Sequence, residues 1–322
     1  MQIPMQTTTS ASDRWPRAWR QGETVSPHLQ RVNRTDALMG IAAPAKLNFG
    51  LAVVGRRTDG YHKLVTLFVT LALADTVRVE PAATLTLISD DPTLTTGDDN
   101  LCLRAARALQ MATGTSAGAR ISLTKRIPVA AGLGGGSSDA AATLRALDAL
   151  WDTRVPDTAL LALARSLGAD VPFFLCGTSG SAVMARGIGD LLWPVVSVPL
   201  VWVVLVVSEV DIPRKTVALY AALTEAEYDR GEAVGQQITA LRAGKTLDAA
   251  LLGNSFLAPL ERLAPAVAVT RQAMIAAGLI PALSGSGPTL YALCATEAAA
   301  TEAANRLRGR VDARIIVTSF SA

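Results

Sequence analysis

The stretch PVAAGLGGGSSDAAATLRALDAL, from Pro128 to Leu150, crowds Gly132, Gly134, Gly135 and Gly136 ahead of an alanine-rich helical pattern. Glycine is the costliest residue to order, so such a cluster implies a backbone that must bend tightly or approach something closely. A glycine-rich turn bares its N–H groups, and a helix that follows points its positive end at the same spot. An anion, above all a phosphate, suits that geometry. The G-x-x-x-x-G-K-[ST] loop is excluded because no lysine follows the glycines, and G-x-G-x-x-G fails because Ser137 stands at its last glycine. A turn needed only for packing stays open as the alternative.

Around this stretch the pattern is mixed α and β. ARISLTKRIPV leads in as a strand, and Ser137 or Ser138 is placed to cap a helix to about Trp151. A second helix, about 157–167, stops at Gly168. Upstream, APAKLNFGLAVVG alternates, with Ala45, Leu47, Phe49 and Leu51 on one face and Lys46, Asn48 and Gly50 on the other. Asp59-Gly60 signals a tight turn, two further strand-like runs follow, and Asp99 or Asn100 can cap a helix from about residue 101. Downstream, GADVPFFLCGTSGSAVMARGIGDLLWPV reads as a glycine-punctuated β region, and the valine-rich VPLVWVVLVVSEV as a strand buried on both faces. Helices are expected near 213–224, 235–243 and 256–277, then the strand-loop-strand LIPALSGSGPTLYALCA, a helix through EAAATEAANRLRG and a last strand RIIVTSF.

At 322 residues, half of them apolar and 18% charged, the chain has room for two well-packed domains. They are expected to meet near residue 200. A formal charge of +3 gives no argument for a nucleic-acid partner. The longest apolar run is shorter than the roughly 20 residues of a membrane-spanning helix. Cys102, Cys176 and Cys294 are odd in number, scattered, and without metal-ligand spacing, which points to a reducing cytoplasm and no metal site. The first 40 residues are poor in aliphatics and lack a signal-type apolar core, so they read as a disordered or dispensable extension.

PVAAGLGGGSSDAA resembles the phosphate-binding motif of the GHMP kinase superfamily. PAKLNFGLAVVGRRTDGYHKLVTLF, from Pro44, and LSGSGPTLYAL, from Leu283, resemble that superfamily's other motifs, in the same order. TDGYH and GADVPFF narrow the likeness to the branch whose substrate is a cytidine-diphosphate-linked methylerythritol. Ala130 and Ala131 depart from the glycines that many relatives carry, and the first 40 residues have no counterpart.

The resemblance implies an α+β, or α/β, two-domain GHMP kinase fold. A ribosomal-protein-S5-like domain over 41–198 would stand beside a ferredoxin-like domain over 199–322, after the 1–40 extension. It implies phosphoryl transfer from ATP, with Mg2+ arriving on the phosphates, to the 2-hydroxyl of the acceptor in non-mevalonate isoprenoid synthesis, by a monomer or homodimer without membrane or nucleic-acid partners. ATP would bind along Pro128, Val129, Ala130, Ala131, Gly132, Leu133, Gly134, Gly135, Gly136, Ser137 and Ser138, with Asn100 and Lys125 near the nucleotide. Asp170 matches the catalytic aspartate, taking or orienting the hydroxyl proton. Lys46 matches the motif's lysine, with Asn48 beside it on the strand. Tyr61 and His62 would stack on and hydrogen-bond the pyrimidine, Tyr220 would supply a second aromatic, and Gly285 and Ser286 would close on the diphosphate. Asp139, at the helix start, suits the dipole. A turn aspartate, a surface lysine and a core tyrosine are the plain alternatives at 170, 46 and 220. A GHMP kinase for homoserine or a mevalonate-type alcohol, and a nucleotide binder without chemistry, are the rival functions.

Overall fold

The computed structural model of the chain describes residues 29–176 and 180–321. Two twisted sheets carry it, and the glycine-rich stretch lies where they meet. The chain enters through the short helix α1 (Arg34–Met39), capped by Asn33. The long strands β1 (Ile41–Arg56) and β2 (His62–Ala82) then pair antiparallel. β3 (Thr86–Ser89), α2 (Leu101–Thr113), β4 (Gly118–Thr124), α3 (Gly135–Trp151), α4 (Asp157–Leu167), α5 (Val171–Leu175), β5 (Ser181–Arg186) and β6 (Leu191–Ser197) complete the first layer pair. Its sheet has six strands, ordered β3-β4-β2-β5-β6, with β1 on β2; only β3 and β4 run parallel.

The second unit holds β7 (Trp202–Ser208), α6 (Lys215–Ala222), α7 (Glu232–Arg242), α8 (Leu257–Leu263), α9 (Pro265–Ala276), β8 (Ala282–Leu283), β9 (Thr289–Cys294), α10 (Glu297–Leu307) and β10 (Ala313–Ser319). Its four strands run β10-β7-β9-β8, all antiparallel, with valine-rich β7 inside and buried as its composition implies.

One core lies between the first sheet and α2–α5, and another under the helices of the second unit. A third joins the two sheets, packing Ala45, Leu47, Phe49 and Leu67 with Val203, Leu205 and Tyr291. β1 is therefore buried on both faces, and the alternation seen in its sequence separates an apolar core from a buried polar site rather than from water.

Several local expectations are corrected. The run 171–175 is a helix, not a strand, because Pro172 suits a first helical turn. Asp170 is its N-cap, but its side chain makes no capping bond. Helix α3 starts at Gly135 behind Gly134, whose φ of +74° needs glycine, so Ser137 and Ser138 lie inside the first turn rather than at the cap. The helix expected over 256–277 breaks in two at Ala264-Pro265, since the residue before proline leaves the helical region. The expected 1–40 extension falls outside the described residues for 1–28, but 29–40 are ordered. Leu29 and Ala37 are buried, and Arg31 donates 2.7 Å bonds to Asp148 Oδ2 and Val155 O. All three cysteines are free, and among the described residues no helix is long and apolar enough to cross a membrane.

Candidate active site

The two glycine-rich turns meet backbone to backbone. A Cβ on Gly132 would lie 2.4 Å from Ser284 O, and one on Gly285 would lie 3.0 Å from Gly132 O. Ser284 Oγ donates to Gly132 O at 3.0 Å, and Thr289 Oγ1 to Ala131 O at 2.7 Å, so strand β9 holds the first loop in place. Cavities open on either side of this junction, and Gly132 and Gly134 line both.

The smaller cavity, about 340 Å3, lies over the start of α3 and is walled by Pro128 to Ser137. Backbone amides, the helix dipole and the absence of bulk suit it to an anion. Asp139 also lines it, with Oδ1 buried and without a hydrogen-bond partner, as is Oγ of the neighbouring Ser138. Lys125 and Asn100 line the pocket, but both are already engaged. The Lys125 ammonium bonds Asp139 Oδ2 at 2.8 Å and also Asp75, while Asn100 caps α2 through Cys102 N and donates to Thr95 O. Burial pushes the Asp139 carboxyl up, against the pull of Lys125. Asp75 was invisible in the sequence reading. It also accepts from the backbone N–H groups of Arg126 and Ile127, fixing the entry to the loop.

The larger cleft, about 780 Å3, contains Lys46, Asn48, Asp170, Tyr61, His62, Tyr220, Gly285 and Ser286. Lys46 Nζ lies 3.5 Å from Asp170 Oδ2, donates to Asn48 Oδ1 at 2.6 Å and sits 5.0 Å from the Phe68 ring centroid. Its own N–H donates to Leu133 O, tying the strand to the glycine loop. Asn48 is oriented in turn, donating to Thr66 Oγ1, which donates to Gly50 O. The lysine side chain is 5% exposed and the aspartate 31%, so a buried cation stands behind a carboxylate that faces the cleft. The surface-lysine alternative is thereby removed.

The aromatic wall of this cleft is only partly as expected. His62 stacks on Tyr220 with centroids 4.6 Å apart and planes at 16°, and Tyr228 and Phe256 meet them edge-on. Tyr61 stands on the rim, 62% exposed. Burial, with Arg56 nearby, lowers the His62 pKa and keeps the ring neutral. Burial, with the charge of Asp170, pushes Tyr220 up to about 12. Both rings therefore stack as neutral groups at pH 7.

A residue that no motif pointed to is Lys215, the first of α6. Its ammonium donates to Ala130 O at 2.6 Å and to Gly287 O, one carbonyl from each glycine-rich turn. Beside it Thr216 Oγ1 reaches Ser286 Oγ at 3.3 Å. Burial lowers the Lys215 pKa to about 8. Its sequence signal was slight, a lysine next to a threonine in a segment noted only for Tyr220.

The model of the GHMP kinases N terminal domain matches residues 100–178, and that of the GHMP kinases C terminal domain matches 236–313. The chain is 42% identical over 273 residues to 4-diphosphocytidyl-2-C-methyl-D-erythritol kinase of Paramagnetospirillum magneticum, spanning 83% of this chain and 93% of that one. With the enzyme so named from Salinibacter ruber it shares 41% over 272 residues, 83% of this chain and 94% of the other. A crystal structure of 4-(cytidine 5'-diphospho)-2C-methyl-D-erythritol kinase superposes with a TM-score of 0.74 at 40% identity, covering 88% of this chain and all of that one. L. major mevalonate kinase superposes at 0.65 with 14% identity over 91% of this chain and 99% of its own, a likeness of fold alone.

Proposed function

Since the chain belongs to the 4-diphosphocytidyl-2-C-methyl-D-erythritol kinases of the GHMP kinase family, we propose that the paired cavities carry out that transfer, with Asp170 and Lys46 at the reacting atoms. The protein is a small-molecule kinase that uses ATP. The acceptor is the 2-hydroxyl of 4-diphosphocytidyl-2-C-methyl-D-erythritol, and the products are its 2-phosphate and ADP. The observation that carries this reading is the 3.5 Å Lys46–Asp170 pair, set where the anion pocket and the ring-walled cleft join.

The nucleotide phosphates lie along Gly132–Ser138, their charge met by backbone N–H groups and the start of α3. The acceptor occupies the larger cleft, its pyrimidine against the His62–Tyr220 stack with Tyr61 closing from the rim. Its hydroxyl meets the exposed side of Asp170, which takes or orients the proton as the oxygen attacks phosphorus. The buried Lys46 charge faces the point where negative charge spreads over the moving phosphoryl group. Positioning and cations matter more than covalent chemistry in such a transfer. Asp139 Oδ1 is a hard oxygen donor left without a partner in the anion pocket, which suits Mg2+. When bound, the ion neutralises the phosphates; Asp139 would hold it, and Lys125 keeps the other Asp139 oxygen in place.

ADP release from ATP and Mg2+, with the cytidylated acceptor or with homoserine, tests the assignment. Wild type is expected to turn over only with the cytidylated acceptor, and Asp170→Asn to lose roughly 10²–10⁴-fold in kcat. Equal turnover of homoserine, or full activity in Asp170→Asn, would overturn it.

A further inference from the structure

A separate cavity of about 420 Å3 lies behind the active site, between α1, the first residues of β1, the middle of β2 and α3. Arg145 of α3 lines it while only 6% exposed. Its Nη1 donates to Gln30 Oε1 at 2.7 Å, but its Nε, fully enclosed, has no partner. Among the described residues no carboxylate pairs with it. Asp148, on the same helix, is taken by Arg31, Thr153 Oγ1 and Val155 N. Asp36, also among the lining residues, is exposed on α1. Burial alone acts on the guanidinium, lowering its pKa to about 10, so it remains a cation at neutral pH. Thr70 lines the same cavity at 3% exposure, and its Oγ1 also lacks a partner. The other walls are largely apolar, among them Val32, Leu71 and Phe174.

A buried cation without a counter-charge is unfavourable, and an apolar side chain of similar size would serve packing better. Two residues that line one cavity, one cationic and one a hydroxyl, each keep a polar atom without a partner, which suits an acid group of a ligand. We propose that this cavity binds a small organic oxyanion, a carboxylate or phosphate monoester on a short aliphatic body, with its acid group on Arg145 and Thr70 and its body against Leu71 and Phe174. The volume is that of a small-molecule site. Such a ligand would lie one residue from the catalytic machinery by two routes. Thr70 is the β2 partner of Lys46, and the Phe174 ring packs so closely on the glycine loop that a Cβ on Gly134 would lie 2.8 Å from it.

The test uses the full chain with saturating ADP and Mg2+, so that the glycine loop is filled, and titrates hexanoate and butyl phosphate in separate arms. Thermal unfolding and calorimetry are the readouts. One probe is expected to raise the wild-type Tm by on the order of 2 °C at saturation. Which probe binds assigns the acid as carboxylate or phosphate. Arg145→Leu is expected to abolish the shift, Arg145→Lys to retain part of it, and Thr70→Val to weaken binding several-fold in a protein folded as before. No shift with either probe in wild type, or an undiminished one in Arg145→Leu, overturns the proposal.

Discussion

The two glycine-rich turns share a boundary, yet only the first opens into a helix. Gly134 caps α3, so the 132–136 turn presents converging N–H groups and a dipole to an anion. The 284–287 turn runs into strand β9 and has no such field. What it supplies is backbone packed on backbone, with Ser284 Oγ on Gly132 O and the Gly285 α-carbon under Lys46 and Asn48. The first turn has the geometry an anion needs, and the second holds the first in shape. Lys215 bonds a carbonyl of each, so their spacing depends on a third element.

The comparison predicts unequal glycines. Gly132→Ala should be the most damaging change, because φ is +80° and the added methyl would lie 2.4 Å from backbone that cannot swing away. A loss of at least about 2 kcal/mol in denaturant unfolding is expected, with KM for ATP raised at least ~10-fold. Wild-type values in that variant would show that the turns are not fixed against each other.

Lys215→Met should come next, raising KM for ATP by about 5-fold at pH 7 through the loss of two hydrogen bonds. In wild type the same loss should appear with pH. The folded value of about 8 lies below the ordinary 10.5, so the ammonium is disfavoured by folding and discharges above pH 8. KM for ATP is then expected to climb through pH 8 in wild type and stay flat there in the variant. Stability has the opposite sign. Between pH 8 and 10.5 the unfolded chain holds more protons, so the cost of burying the charge fades as pH rises. A pH profile of KM without a limb near 8 would remove Lys215 from the junction.

The smallest effect belongs to Gly136→Ala. Its φ is not in the left-handed region, and its nearest neighbour would be Leu101 Cδ1 at an ordinary 3.6 Å. Helix stability should rise by about 0.5–1 kcal/mol, with KM for ATP within roughly 3-fold of wild type. A large KM increase would place the nucleotide against this residue and narrow the binding turn to its helical end.

Much of this was legible in the chain itself. Alternation along 43–55 marked β1, Asn100 and Gly168 marked helix ends, and the β-branched run at 202–208 marked a buried strand. The helix at 171–175 was not legible, because five apolar residues show no period and Pro172 reads equally as a strand break or a helix start. Nor were Asp75, Thr66 and Lys215, whose roles come from partners 50, 16 and 85 residues away. Nothing in the sequence marked Arg145. Only the tertiary structure buries it, with Gln30 on its Nη1 and no partner for its Nε.

Periodicity and turn chemistry act over a few residues, and they determined the elements, the anion-binding turn and, with motif resemblance, the identity of Lys46 and Asp170 as candidates. Burial, charge pairing and distance are properties of surfaces brought together. The closing of one sheet on the other therefore decided that Lys46 is a buried cation behind an accessible carboxylate, that two turns 152 residues apart form one junction, and that among the described residues Arg145 stands without a counter-charge.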